Sequence, residues 1–304
     1  MSGELFEQVA RRIRAEGRFR VCLLIGASDT GKTSWAEALG ERCRRDGPVL
    51  AVDSDVGQSH LGPPATIAWG KIEPGEGSGW EKIEPEGIFF TGSTSPAGNP
   101  LLHLAGLVRI LAQARKETGR IFIDTTGLIH GPGLALKTAK IKALDPDLVI
   151  GLERERELDP ILESFSRLRR PEIIRLPVSP EVGRKDPEKR AEFRRLAWAR
   201  YFQEAGIVSR AAEKTWVWDI PDLSPEGTER ISGRGPAPAL IPINSLVGLQ
   251  DENGRDLALG IIRGFDRETE SLSIQTPARP ETLEKVRGLA LGTVRLDEGF
   301  REIS

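Results

Sequence analysis

The chain has 304 residues, with 43 Lys and Arg against 45 Asp and Glu and a formal net charge of −2. That balance argues against a nucleic-acid coat over the whole surface but leaves room for a local basic face, and the length suits one large domain or two modest ones. No run approaches the roughly 18 apolar residues a membrane span needs, and the first twenty residues hold no apolar signal core, so the expected setting is the cytoplasm.

In chain order, Leu5, Val9 and Ile13 recur at helical spacing and predict a leading helix over residues 4–16. RVCLLIG is a continuous apolar run of the kind found in strands buried on both faces. TSWAEALGERCRRDG reads as a helix closed by Gly47, then VLAVD as a second buried strand and GIFFTG as a third. NPLLHLAGLVRILAQARKETG is a long helix and RIFIDTTG a strand, and LALKTAKIKAL is a further helix. PDLVIGL and EIIRLPV complete the set, with the helix ELDPILESFSRL between them. Cys22 and Cys43 fall in a strand and a helix pattern and read as small core residues.

Strands alternating with helices indicate an α/β domain with a mostly parallel sheet. From about residue 205 the pattern changes to short strands with turns at Glu252–Gly254 and Asp266–Glu268. The expected division is a helix-flanked domain over 1–204 with an arginine-rich segment at about 180–203, a connection over 205–235, and a small β-rich C-terminal domain over 236–304.

GASDTGKT, from Gly26 to Thr33, fits G-x-x-x-x-G-K-[ST] between an apolar strand and a helix, the context of a P-loop. Gly26 and Gly31 allow backbone angles and close approach that a β-carbon would block. Successive N–H groups of Ser28, Asp29, Thr30, Gly31, Lys32, Thr33 and Ser34 then form an anion cradle at a helix N-terminus. Lys32 reaches the β- and γ-phosphates of a nucleoside triphosphate, and Thr33 offers its hydroxyl to Mg²⁺. The expected fold class is therefore α/β of the P-loop NTPase type, its mostly parallel sheet flanked by helices.

Asp53 and Asp55 alternate by two at the end of the next strand and point to one side. A strand end near the P-loop faces the same crevice. Carboxylates there hold a metal-bound water or accept a proton from an attacking hydroxyl. Asp124, at the end of RIFID, either assists a metal from behind or caps the DTT turn.

Several blocks, in order, resemble the polynucleotide 5′-hydroxyl-kinase family, which includes the P-loop subunit of the mRNA cleavage-and-polyadenylation machinery and ribosomal-RNA-processing kinases. They are GASDTGKT, DVGQ, FFTGSTSPAGNP, IDTTGLIHGPG and VGRKDPEKRAEFRRLAWARYF. The resemblance covers residues 20–203. It implies transfer of a γ-phosphate from ATP or GTP, with Mg²⁺, to a 5′-hydroxyl end of RNA or DNA. On the matching positions it gives Asp55 the metal-organising and hydroxyl-activating role, with Asp53 beside it. Gln58 is placed at the substrate end, and Thr125 and Gly127 in a turn that clasps the substrate backbone. Leu128 stands where the family has an aromatic.

Between Arg167 and Arg200 there are eleven Lys and Arg against five Asp and Glu. Arg184, Arg190 and Arg194 read as a lid over the phosphates, where guanidinium groups stabilise the charge that spreads during transfer. The same arginines would draw in nucleic-acid phosphates. His60 and His130 lie in loops at the crevice edge with a substrate role open, whereas His103 reads as helix packing, as do most of the six tryptophans. The alternatives are a catalytically weak ATP-binding scaffold of an RNA-processing assembly, a regulatory GTPase and a small-metabolite kinase. No [NT]-K-x-D motif supports the GTPase.

Overall fold

The computed structural model describes residues 3–73, 79–183, 186–211, 215–219 and 242–303. Its first half runs α1 (Gly3–Ala15), β1 (Val21–Gly26), α2 (Lys32–Cys43), β2 (Val49–Ser54), β3 (Thr66–Lys71), β4 (Gly87–Phe90), α3 (Pro100–Ala114), β5 (Arg120–Thr125) and α4 (Pro132–Leu144). β6 (Leu148–Glu153), α5 (Asp159–Leu162), β7 (Glu172–Pro177) and α6 (Pro187–Tyr201) follow. The strands form one sheet in the order β4-β3-β2-β5-β1-β6-β7, parallel from β2 to β7, with β3 and β4 antiparallel at one edge.

The central strands are mostly apolar because both faces are covered, with the acids Asp53, Asp124 and Glu153 towards their C-terminal ends. Every residue of β1, β2 and β6 is buried. Val21, Leu23 and Ile25 pack on the side of α3, α4 and α5, against Leu107, Ile110, Ile141 and Leu162. Cys22 and Leu24 face the other way, among Val9, Ile13, Trp35 and Leu39 of α1 and α2. Both cysteines are buried and free.

Within this first sheet and its helices, two elements differ from the sequence expectation. TIAWGK forms β3, which was not anticipated; it pairs antiparallel with β2 and β4. The helix expected over ELDPILESFSRL is a single turn, α5, after which the chain passes into turns closed by Phe165 N–H to Leu162 O.

The second sheet comprises β8 (Gly206–Ala211), β9 (Trp216–Asp219), β10 (Ser245–Gln250), β11 (Asp256–Asp266) and β12 (Ser271–Thr276), then, after the short helix α7 (Pro280–Leu283), β13 (Gly288–Leu296) and β14 (Glu302–Ile303). Its order is β14-β13-β10-β11-β12-β8, with β9 parallel to β13. Two strands, β8 and β9, thus arise from the stretch expected as a connection, 205–235. Trp216 and Trp218 are exposed on β9, unlike the four other tryptophans, which are buried.

The two sheets meet through α6 and β4. Trp198 and Phe202 pack with Phe90, Leu246, Leu259 and Leu296. Asp256 Oδ2 accepts from Phe90 N–H at 2.9 Å, and Tyr201 Oη accepts from Leu259 N–H at 2.8 Å. At the seam the backbones nearly touch: a β-carbon on Gly292 would lie 2.7 Å from Gly92 O. Among the described residues no helix is long and apolar enough to cross a membrane.

Candidate active site

β1 delivers the chain into the loop at Gly26, where a β-carbon would sit 2.5 Å from Leu152 O and 2.7 Å from Thr30 Oγ1. Gly31, at φ 83°, turns the chain into α2, whose N-terminus has no side-chain cap. Its first N–H groups are therefore left for an anion. Asp29 also has positive φ, at 56°. Ser28 is exposed on this loop and Ser34 in the first turn of α2, and Thr30 is buried with its hydroxyl on Ala27 O at 3.0 Å. Lys32 is buried and donates to Ala27 O at 2.7 Å. Burial lowers its ammonium below the ordinary lysine value, while Asp124, Asp55 and Asp29 hold it up.

The strand order decides which acid meets the loop. β5, not β2, lies next to β1, so Asp124 is the acid beside the P-loop helix, and it accepts from Thr33 Oγ1. Asp53 is paired in register with Asp124 on the neighbouring strand. Its carboxylate closes the following loop, accepting from the N–H groups of Asp55, His60 and Leu61 at 2.8, 2.7 and 3.1 Å. Burial, then the charges of Asp124 and Asp55, push the Asp53 carboxyl up to about 7. Burial likewise raises Asp124, with Lys32 opposing. Asp55 is half-buried and accepts from Gly57 and Gln58 N–H through Oδ1, at 3.1 and 3.0 Å. Among the described residues its Oδ2 accepts no hydrogen bond.

The turn after β5 closes over the P-loop. A β-carbon on Gly127 would lie 2.4 Å from Ser28 N, a contact only glycine permits. Thr125 Oγ1 donates to Leu24 O at 2.8 Å, tying this turn to β1. Leu128 is half-buried and His130 exposed.

Sequence reasoning missed two residues under this site. Lys137 and Lys140 are fully buried on α4. Burial drives Lys137 well below the ordinary lysine value and takes Lys140 down to about 7. The signal was available: with Gly133, Leu136, Ile141 and Leu144 they occupy the buried stripe of the helix, where lysine is not expected. His103 packs as expected and adds a polar contact, its Nε2 lying 3.1 Å from Ser54 O.

The two arginines of α6 expected in a lid part company. Arg190 reaches the P-loop, donating to Asp29 Oδ2 at 2.5 Å, whereas Arg194 pairs with Glu302 of β14. Gln58 Nε2 donates to Arg190 O at 3.2 Å, and His60 stacks on Phe193 with ring centres 5.3 Å apart. Helix α6 thus rests on the DVGQSH loop. Burial pulls the His60 imidazole down, but Glu37 and Asp53 outweigh it and raise its affinity for a proton. Arg154, not singled out from sequence, donates to Asp29 O at 2.7 Å. Arg184 lies outside the described residues.

A phosphate loop, strand-end acids and an arginine-bearing helix meeting at one crevice define a P-loop nucleotide-binding protein. Residues 26–204 match the family model described as mRNA cleavage and polyadenylation factor CLP1 P-loop, and the chain belongs to that family. It is 30% identical over 337 residues to a polyribonucleotide 5′-hydroxyl-kinase of Pyrococcus furiosus, covering 98% of this chain and 93% of that one. A polyribonucleotide 5′-hydroxyl-kinase of Methanocaldococcus jannaschii is 31% identical, over 92% of this chain and 88% of its own. Among solved structures, that of Clp1p with Pcf11p superimposes with a TM-score of 0.76 at 14% identity, covering 97% of this chain and 80% of that one. This likeness extends the common fold through the C-terminal sheet.

Proposed function

We propose that this protein transfers the γ-phosphate of ATP to the 5′-hydroxyl end of RNA. The observation that carries the reading is the meeting of Lys32, Asp55 and Arg190 at one crevice in a chain alike, over nearly its whole length, to enzymes named for that reaction.

The site fits a nucleoside triphosphate with a hard cation. Among the described residues Lys32 Nζ hydrogen-bonds to the Ala27 carbonyl, with the carboxylates of Asp124, Asp55 and Asp29 nearby, at a helix N-terminus that no side chain caps. Thr33 and Asp124 supply the oxygen donors that Mg²⁺ takes, with Asp53 and Asp55 on the neighbouring strand end. Bound there, Mg²⁺ would neutralise charge on the phosphate oxygens. Lys32 exchanges Ala27 O for the β- and γ-phosphates. Asp55 takes the proton of the attacking 5′-hydroxyl at Oδ2, the oxygen its own loop leaves open. Arg190 exchanges Asp29 for the transferred phosphate as the lid closes. Gln58, His60, Gly127 and His130 line the path of the polynucleotide end, a single strand that can enter the crevice, while buried Thr125 supports the Gly127 turn from beneath. Base stacking at Leu128 gives way to backbone contact.

The test is transfer of labelled γ-phosphate from ATP, and in parallel from GTP, to RNA and DNA oligonucleotides with 5′-hydroxyl or 5′-phosphate ends. RNA with a 5′-hydroxyl should accept label and the 5′-phosphate form should not. Lys32→Ala should lower the rate about 10²–10³-fold, and Asp55→Ala about 10²–10⁴-fold. Near-normal transfer by Asp55→Ala would remove that residue as the base. A second reading, an ATP-binding scaffold with little turnover, draws on the missing aromatic at Leu128; ATP binding by the wild type without transfer would favour it.

A further inference from the structure

Helix α4 buries two amines where an ordinary core helix would carry leucine or methionine. The amines bond to uncharged oxygens: Lys137 Nζ lies 2.7 Å from Thr125 Oγ1 and 2.5 Å from Thr126 O, and Lys140 Nζ lies 3.2 Å from Ser54 Oγ. Burying an amine on such partners is costly compared with an apolar side chain of similar volume. The fold does not require it, because Leu136, Ile141 and Leu144 on the same stripe already anchor the helix.

What the two lysines touch is specific. Thr125 and Thr126 lead directly into Gly127, which lies against Ser28 of the P-loop. Ser54 stands between Asp53 and Asp55; its hydroxyl donates to Asp124 O at 2.8 Å and its carbonyl faces His103. One turn of one helix therefore holds both the turn expected to clasp substrate and the strand end that carries the acids.

We propose that Lys137 and Lys140 are positioning residues: Lys137 sets the Thr125–Gly127 turn against which the polynucleotide end is held, and Lys140 sets the β2 end that aims Asp55 at the 5′-hydroxyl. The proposal rests on the functional reading above. A small misplacement at a reacting centre costs about 10²-fold in rate, so rigid anchorage on a shared helix has a kinetic consequence.

The experiment is steady-state transfer to a 5′-hydroxyl RNA by the full chain, varying ATP and RNA separately, for wild type, Lys137→Met and Lys140→Met. Lys137→Met should raise the KM for RNA about tenfold with the KM for ATP within about twofold. Lys140→Met should lower kcat about tenfold or more, with both KM values within about twofold. Calorimetric ATP binding checks that each variant is folded; should methionine fail that check, Lys137→Gln and Lys140→Gln take the same measurements. Unchanged constants, or KM values for ATP and RNA that rise together, overturn the proposal. A wild type that binds ATP but transfers nothing overturns the functional reading and the proposal with it, whereas an active wild type with indifferent variants overturns the proposal alone.

Discussion

Beneath the ends of β2 and β5, Asp53, Asp124, His103, Lys137 and Lys140 are each 1% exposed or less, whereas the seam between α6 and the C-terminal sheet buries Trp198, Phe202, Phe90, Leu246 and Leu259. The first interior is built of ionisable groups, and burial moves them towards their neutral forms. The second is apolar, with Phe202 and Phe300 stacked 5.7 Å apart. The difference separates two tasks. Apolar burial supplies stability at the seam, while the ionisable interior, on the proposal above, holds geometry around the acids at a cost in stability.

If that division is right, truncation at the seam should be the most damaging change to the fold. Trp198→Ala should lose about 3–5 kcal/mol in denaturant unfolding, because Trp198 is fully buried where the lid helix meets both sheets. The ionisable interior should show itself next, through pH. The raised carboxyl of Asp53, at about 7, makes the folded protein bind more protons than the unfolded chain between about pH 4 and 7, so stability falls as pH rises through that window. The lowered amine of Lys140, also at about 7, makes it bind fewer between pH 7 and about 10.5, so stability rises again. Ligand-free protein should therefore be least stable near neutrality, and a melting series across pH checks it.

Lys140→Met sharpens the same point: it should flatten the alkaline rise and add about 1–2 kcal/mol at pH 7, although transfer falls. A loss of stability instead would mean the amine holds the fold together. Smaller still, Tyr201→Phe should cost about 1 kcal/mol by leaving Leu259 N–H without its acceptor. Smallest, Glu302→Gln should change stability by less than about 0.5 kcal/mol, since its pair with Arg194 is partly open to water.

The P-loop and the buried parallel strands were legible because each carries its own local signature: a glycine spacing, or an uninterrupted apolar run. β3 was not, because TIAWGK follows Pro63 and Pro64 and makes sense only as an antiparallel return against β2. β8 was not, because its residues are half-exposed or exposed and carry no clear alternation. In the site, Asp55 and Asp53 could be read as a pair, but their different partners could not. Asp124 stands beside Thr33 because β5 separates β2 from β1, and strand order is a tertiary fact. Lys137 and Lys140 escaped because a lysine is read as a solvated residue even when it falls on the apolar stripe. Arg190 and Arg194 share a helix face by spacing, yet β14 draws Arg194 to Glu302.

The near-contact of Gly92 with Gly292 has a practical corollary. Thr293 N–H donates to Gly92 O at 2.9 Å, so the final strands are stitched into the loop that follows β4. A fragment cut at residue 204, the border of the family match, would turn Phe90, Trp198 and Phe202 out into water. Such a piece should clump rather than refold on its own, which makes the C-terminal sheet an inseparable half of the catalytic body and not a detachable appendage.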